Sequence, residues 1–451
     1  MIVSKFGGTS VADAAAIRRL VAIVQGRRER QPVVVVSALS GTTNGLLAAA
    51  EQAANGHLVV AIATVESLRE RHLALVQELL GQGAEAEEIA AEESMLFDEL
   101  AHLCEALSVL GHATPRSLDA ISSMGEQLSA PIVAAALKQA GLASALVDAR
   151  RVMITDDEFG RATPQTEAIA AATREHLLPL LKAGKVPVMG GYIGATARGV
   201  TTTLGRGGSD YSAALFGAAL DAEAIEIWTD VDGMLTADPR VIPEAQLIEH
   251  IRFDEAAELA SFGAKVLHPS TISPAVQLGI PVFVYNSMRP EGKGTRITAD
   301  APSLAVRAIA GKGNTVVVKV RSPRLLGTPG MLKAIFEVFA RHKTSVDVVT
   351  TSEVSVSLTV DDHQNLDAVV ADLRDFGDVG VERGRGIVAL VGAGLGESAP
   401  AMARAIAAAG DTRLHMLSLS ATGINLTLIV DGDQVRPVMQ RLHQAFFGTT
   451  A

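Results

Sequence analysis

The sequence predicts an α/β protein: a layered domain on a largely parallel sheet, followed by two small α+β units. Three observations carry this. Short runs rich in Val, Ile and Ala alternate with longer helical patterns over residues 1–290, the order of a parallel sheet with helices on both faces. Hydrophobic residues make up 48% of the chain but aromatic residues only 4%, as in strands buried on both faces. Past about residue 302 the period changes to a β-α-β-β-α pattern that occurs twice. At 451 residues the chain is too long for one ordinary core.

Strand-like runs at 2–6 and 33–37 flank a helical segment over 12–29, giving a β-α-β start. The first strand runs into Lys5-Phe6-Gly7-Gly8-Thr9-Ser10-Val11. Adjacent glycines let backbone N–H groups turn toward a ligand, and a following helix N-terminus adds positive potential. This makes a phosphate cradle, with Lys5 supplying a mobile charge. After Ser37, the loop Ser40-Gly41-Thr42-Thr43-Asn44 lies at a strand end and serves either as a helix cap or as a ligand contact. Residues 46–112 read as a group of helices outside the sheet, and His57, His72, His102 and His112 are too scattered there for a metal site. A helix over 116–139 carries Ser122-Ser123-Met124-Gly125-Glu126, whose carboxylate sits beside a glycine and an apolar stretch, the setting of a site residue.

Strand signals follow at 145–147, 186–189, 224–229 and 281–285, separated by helices over 164–181 and 209–220. The second of these helices opens from Leu204-Gly205-Arg206-Gly207-Gly208-Ser209-Asp210-Tyr211, a second glycine turn that includes a basic and an acidic group. The layered domain is placed at 1–290 and a Pro- and Gly-rich linker at 291–304. The first α+β unit is placed at 314–385. The second is placed at 386–451, with 305–313 supplying the strand it otherwise lacks.

A net charge of −11 argues against nucleic acid or an anionic membrane as partner. No apolar stretch approaches the roughly 20 residues of a membrane span. Cys104 is the single cysteine, so the chain has no internal disulfide and fits the cytoplasm. Neither a P-loop nor a Gly-x-Gly-x-x-Gly motif occurs. Two glycine turns with Lys5, Arg206 and Asp210 suit transfer of a phosphoryl group, whose charge spreads over several oxygens.

Four motifs in order resemble those of the aspartokinases: the Lys5–Val11 and Thr201–Asp210 stretches, Trp228-Thr229-Asp230-Val231-Asp232-Gly233, and Phe262-Gly263-Ala264-Lys265-Val266-Leu267-His268-Pro269. Within that family the chain most resembles the monofunctional, lysine-sensitive type, over essentially its whole length and including two ACT-type regulatory units. The resemblance implies an amino acid kinase fold that transfers the γ-phosphoryl of ATP to the β-carboxylate of L-aspartate. The product, 4-phospho-L-aspartate, leads towards lysine, threonine and methionine. The chemistry is reasonable, because a carboxylate with a pKa near ~4 is already ionised at neutral pH and needs no general base.

By the same resemblance Lys5 and Asp210 are catalytic, and Thr43, Glu126, Arg206 and Ser209 hold aspartate. Lys5, Gly7, Gly8, Ser37, Thr229, Asp230, Arg240 and Lys265 lie on the nucleotide side. ATP and Mg²⁺ are the implied cofactors, with no protein metal ligand assigned. Leu235 departs from the pattern, standing where a related chain carries an aromatic residue near the adenine. Leu325, Thr328, Leu332, Ser345, Val346, Asp347, Thr351, Ser352 and Glu353 match an effector-binding segment, with Asp347 and Glu353 as anionic partners for lysine. Threonine is the alternative effector, and ACT pairing implies a homodimer or higher homo-oligomer. A catalytically silent amino-acid sensor, or a kinase of another small amino acid, are the competing functions.

Overall fold

Strands rich in Val, Ile and other apolar residues become the buried centre of a sheet, and the helical patterns between them cover it. The computed structural model describes residues 1–262, 269–325, 328–361 and 365–448. Its contacts divide it into two units, Met1–Met234 with Val266–Ala299, and Leu235–Lys265 with Asp300–Ala451.

The first unit begins Ile2–Phe6 (β1), Ala14–Gly26 (α1), Pro32–Val36 (β2) and continues through four helices, Thr42–Ala54 (α2), Leu58–Leu80 (α3), Ala84–Leu110 (α4) and Pro115–Gln139 (α5). Next come Ser144–Leu146 (β3), Ile154–Thr155 (β4), Thr166–His176 (α6), Leu178–Lys182 (α7), Val186–Gly190 (β5), Ile193–Thr196 (β6) and Thr201–Thr203 (β7). Gly208–Ala219 (α8) and Ala224–Thr229 (β8) follow. After His250–Arg252 (β9) and Phe253–Ser261 (α9), which belong to the second unit, Ser273–Leu278 (α10), Val282–Asn286 (β10) and Thr295–Thr298 (β11) complete the first.

Within this unit the main sheet runs β3-β5-β2-β1-β8-β10-β11, parallel throughout except for β11. β1, β2 and β5 are buried at every residue, as expected of parallel strands covered on both faces. β1 has β2 on one side and β8 on the other. The chain therefore leaves the centre of the sheet in both directions, and the C-terminal ends of β1 and β8 flank the switch point where open α/β sheets bind ligands. A three-stranded sheet, β4-β6-β7, has no counterpart in the sequence reading. Its strands are two, four and three residues long, too short to show a period.

The helices expected over 46–112 form a core of their own with α5: Leu46, Val65, Leu68, Phe97, Cys104 and Met124 are buried together. Glu93 of α4 is buried nearby in sequence, with neither carboxylate oxygen hydrogen-bonded among the described residues. Burial, reinforced by Glu92, pushes its pKa up to about 9. The folded protein therefore holds this carboxyl protonated at neutral pH, whereas the unfolded chain ionises it above its ordinary pKa. The unfolded state binds fewer protons across that window, so stability is greatest below about pH 4.5 for this group and falls as pH rises towards about 9. The slope is about 1.4 kcal/mol per pH unit. Chemical denaturation at pH 6 and pH 8 should show wild type losing about 2–3 kcal/mol more than Glu93→Gln, which cannot titrate. Equal pH dependence in the two proteins would show that Glu93 is ionised in the fold.

The second unit contains Leu235–Lys265 and the chain from Ala308–Arg321 (β12) onward: Met331–Arg341 (α11), Val349–Thr351 (β13), Ser355–Asp361 (β14), Leu366–Leu373 (α12), Asp378–Val391 (β15), Ala399–Ala408 (α13), Met416–Leu419 (β16), Asn425–Asp431 (β17) and Val435–Phe447 (α14). The repeat read from the sequence is present, but its halves share one antiparallel sheet, β13-β14-β12-β15-β17-β16. β12 and β15 each run through both halves. Ala308–Lys312 pairs with Ile387–Val391 in one half and Val317–Arg321 with Asp378–Glu382 in the other. Glu255 of α9 is fully buried here, accepting from the Ala393 amide at 2.8 Å and pairing with Arg307 at 3.3 Å. Among the described residues no helix is long and apolar enough to cross a membrane.

Candidate active site

The loops that leave the C-terminal ends of the central strands are docked by their first amides onto the neighbouring strand. Gly7 N–H donates to the Trp228 carbonyl at 2.9 Å, Ser37 N–H to Phe6 at 3.0 Å, Gly191 N–H to Val36 at 2.8 Å, and Ser287 N–H to Thr229 at 2.8 Å. Arg71 of α3 adds a clamp, donating to the carbonyls of Ser40 at 2.7 Å and Ala12 at 3.1 Å. Four loops thus begin from fixed positions along one edge of the sheet, where a preformed ligand site costs little further ordering. Gly7 spends its amide inside the sheet, whereas the Gly8 amide makes no hydrogen bond among the described residues. Gly8 is held close to the next loop, since a Cβ there would lie 3.0 Å from the Ala38 carbonyl oxygen.

Lys5 projects from the end of β1, and its ammonium lies 2.7 Å from Asp210 in the first turn of α8, both side chains being largely buried. A cation and an anion removed from water in this way fix each other's position. The turn before Asp210 requires glycine: Gly205 and Gly207 have φ of +76° and +75°, in the left-handed region that side chains disfavour. Arg206 stands between them, exposed and paired with no carboxylate among the described residues. Ser209 follows at the start of α8. A Cβ on Gly191 would come within 2.8 Å of its Cα, so the glycine permits the close approach of that loop to the helix.

Glu126 reaches the same edge from α5. One oxygen accepts from the Ala38 amide at 3.1 Å, and the other, also buried, has no hydrogen-bond partner among the described residues. Burial pushes the Glu126 pKa up to about 8, against the lowering influence of the Ala38 hydrogen bond and the nearby Lys5 charge. Such a group is poised to take a cationic or donor ligand, because an arriving ammonium would both fill the open valence and favour the ionised form. Thr43 lies in the first turn of α2, after the loop that begins at Ser37. Thr229 closes β8 and its hydroxyl donates to Asp230 at 3.3 Å. The turn beyond is anchored by Asp232, which accepts from Asn286 at 2.7 Å and pairs with Arg289 at 2.6 Å, while Asp230 stays exposed.

The sheet edge therefore gathers Lys5, Gly7, Gly8, Ser37, Glu126, Ser209, Asp210, Thr229 and Asp230. Arg240 belongs to the second unit, exposed and paired with Asp238 at 2.6 Å. Lys265 lies outside the described residues. Among the proposed effector residues, Leu325 and Val346 pack against one core of the second unit. Thr328 and Leu332 are exposed just before and within the first turn of α11, and Ser345 is exposed ahead of β13. Thr351 ends β13, and Ser352 and Glu353 turn into β14. Asp347 pairs with Lys312 at 3.1 Å, and the same lysine holds Asp361 at 2.6 Å.

The amino acid kinase family model matches residues 1–286, the part of the chain that contains this edge. Over the whole length, the sequence is 38% identical to the lysine-sensitive aspartokinase 3 of Escherichia coli K12, covering 99% of each chain. The chain belongs to the aspartokinase family. A chloroplastic aspartokinase 3 of Arabidopsis thaliana is 37% identical, with 99% of this chain and 82% of that one aligned. The crystal structure of E. coli aspartokinase III in complex with aspartate and ADP, described as the R-state, matches with a TM-score of 0.86 over 99% of this chain and 100% of that one. The T-state structure of E. coli aspartokinase III with lysine and aspartate matches at 0.81, at 37% identity and 99% of each chain. The likeness to the aspartokinase III structures thus extends over both units.

Proposed function

We propose that this chain phosphorylates the β-carboxylate of L-aspartate with ATP to give 4-phospho-L-aspartate, and that lysine inhibits it. The observation that carries the reading is the Lys5–Asp210 ion pair at the switch point of the sheet, with the open oxygen of Glu126 reaching the same edge. In this reading Arg206 takes a substrate carboxylate through its two-donor fork, Glu126 takes the α-ammonium, and Thr43 and Ser209 complete the substrate side. Lys5 lies beside the transferring phosphoryl oxygens, held by Asp210. Gly7, Gly8, Ser37, Thr229, Asp230, Arg240 and Lys265 form the nucleotide side. Among the described residues no cluster of three His, Cys, Asp or Glu is arranged to hold a metal. Mg²⁺ would be carried mainly by phosphate oxygens, where it would neutralise charge as the phosphoryl group moves.

Residues 1–290 are assigned to catalysis, although 235–262 fold with the second unit; the stretch 291–304, expected as a linker, instead carries β11 of the first unit's sheet, and the two ACT-type units are assigned to 314–385 and to 305–313 with 386–451. Strands β13 and β16 form the two edges of the regulatory sheet among the described residues, which favours a homodimer or higher homo-oligomer joined there. The lone cysteine, Cys104, is buried, in keeping with a cytoplasmic enzyme. For the effector, Asp347 is the acidic partner of the lysine ammonium and must exchange or share Lys312 when lysine binds.

The test is ATP turnover with a panel of small amino acids, trapping the acyl phosphate as a hydroxamate. Aspartate alone should give product, and added lysine should suppress it. Asp347→Ala should weaken lysine inhibition by roughly 5- to 150-fold, the span of typical coupling energies, without loss of uninhibited turnover. Hydroxamate from another acid but not from aspartate would reassign the substrate. Unchanged inhibition in Asp347→Ala would place the effector elsewhere.

A further inference from the structure

Asp119 is a carboxylate outside the set described so far, on α5 and only 2% exposed. It has no cationic partner among the described residues. Instead it accepts three hydrogen bonds: one oxygen takes the amides of Gly160 at 2.9 Å and Thr203 at 3.0 Å, and the other takes the Thr203 hydroxyl at 2.6 Å. Thr203 is the last residue of β7, three positions before Arg206. Its carbonyl in turn accepts from the Ala162 amide at 2.9 Å. Gly160 bears on the same turn, because a Cβ at Gly205 would lie 3.1 Å from the Gly160 carbonyl oxygen. Asp119 therefore joins the two chain segments between which the arginine turn emerges. It also sits seven residues before Glu126 on one helix, a spacing that puts both carboxylates on the same face two turns apart.

We infer that Asp119 is a positioning residue that fixes the distance between Arg206 and Glu126, and so sets the fit of the amino acid substrate. The inference rests on the reading above that these two residues hold the opposite ends of the substrate. One rigid helix carries Glu126 directly and carries Arg206 through Asp119, Thr203 and the left-handed glycines. A fully buried carboxylate with three converging donors resists displacement, because each donor it released would be left buried and unpaired. The aim of an arginine on an exposed turn is thereby tied to the most buried helix of the unit, and a substrate longer or shorter than aspartate would lose one of its two anchors.

Asp119→Ala removes all three acceptors. It should raise the KM for aspartate about tenfold or more, while the KM for ATP and kcat change less than about threefold. Asp119→Asn should restore most of the loss, since its carbonyl can face the two amides and its NH₂ can donate to the Thr203 hydroxyl. In an Arg206→Ala background Asp119→Ala should add less than about twofold, because the residue acts through the arginine. If Asp119→Ala does not fold, Thr203→Val, which removes only the hydroxyl contact, should show the same split at smaller size. Amide hydrogen exchange supplies a readout independent of aspartate turnover: exchange over 204–210 should accelerate in the variant more than in the rest of the unit. Should wild type fail to phosphorylate aspartate, the functional reading falls, and the exchange result still decides the positioning role. An Asp119→Ala effect that falls equally on ATP and aspartate, persists undiminished without Arg206, or leaves exchange over 204–210 unchanged would overturn the inference.

Discussion

Lys5→Ala is expected to lower kcat about a thousandfold while changing aspartate affinity less than about tenfold. Lys5 stands at the end of β1, beside the proposed phosphate site, with its ammonium 2.7 Å from the Asp210 carboxylate. Charge on the phosphoryl oxygens is greatest in the transition state, so an interaction made there alone lowers kcat when lost, and a thousandfold corresponds to about 4 kcal/mol. In the proposed arrangement aspartate, held by Arg206 and Glu126, keeps its anchors. The substitution also strips the largely buried Asp210 of its partner, so some loss of stability accompanies it, and a melting curve must show the variant folded at the assay temperature. Single-turnover measurement separates chemistry from release. A variant with wild-type turnover and a raised KM for aspartate would move Lys5 from the phosphoryl group to the substrate.

How far the sequence disclosed this arrangement depends on the length scale of each signal. β1, β2, β5 and β8 were legible because each is a five- or six-residue stretch rich in Val, Ile and other apolar residues and followed by glycine, serine or aspartate, and their C-terminal ends gather the quoted motifs. The β4-β6-β7 sheet was not, because its strands are two to four residues long and defined by pairing with distant partners. β12 and β15 were read as broken at their middles, where Gly311-Lys312-Gly313-Asn314 and Arg383-Gly384-Arg385-Gly386 look like turns. In the fold Asn314 takes a φ of +55° and the register shifts around Thr315, a bulge that bends the ladder without ending it. Residues 235–262 are contiguous with the nucleotide motif yet fold with the second unit, where Ala237 and Ile242 join its core. Nothing local marks that change of partner; Arg240, assigned to the nucleotide side by the family resemblance, is carried by the second unit. Asp119 was missed although its seven-residue spacing from Glu126 was available. A lone aspartate in a helix carries no chemical signature until its three donors, from residues 160 and 203, are in place.

Arg206→Lys should raise the KM for aspartate by roughly a hundredfold at nearly constant charge. Glycines at φ of +76° and +75° on either side fix the direction in which residue 206 leaves the turn, and Asp119 holds the strand before it. A side chain launched from a fixed point must reach the substrate carboxylate by its own length and geometry. Arginine presents two parallel N–H donors in a plane that matches a carboxylate, whereas lysine offers a single rotating ammonium on a more flexible stem, so the second hydrogen bond and the orientation it enforces are lost. Two charge-assisted hydrogen bonds reduced to one account for about 1.5–3 kcal/mol, which is on the order of a hundredfold. The loss should appear in KM with a smaller fall in kcat if the contact serves the bound substrate, and in both equally if it tightens in the transition state. Because Arg206 pairs with no carboxylate among the described residues, the substitution strands no buried partner, and stability should stay within about 0.5 kcal/mol of wild type. Steady-state kinetics with aspartate varied at saturating ATP decides it: a KM within a factor of two of wild type would remove Arg206 from the substrate site and leave Glu126 as its only charged anchor.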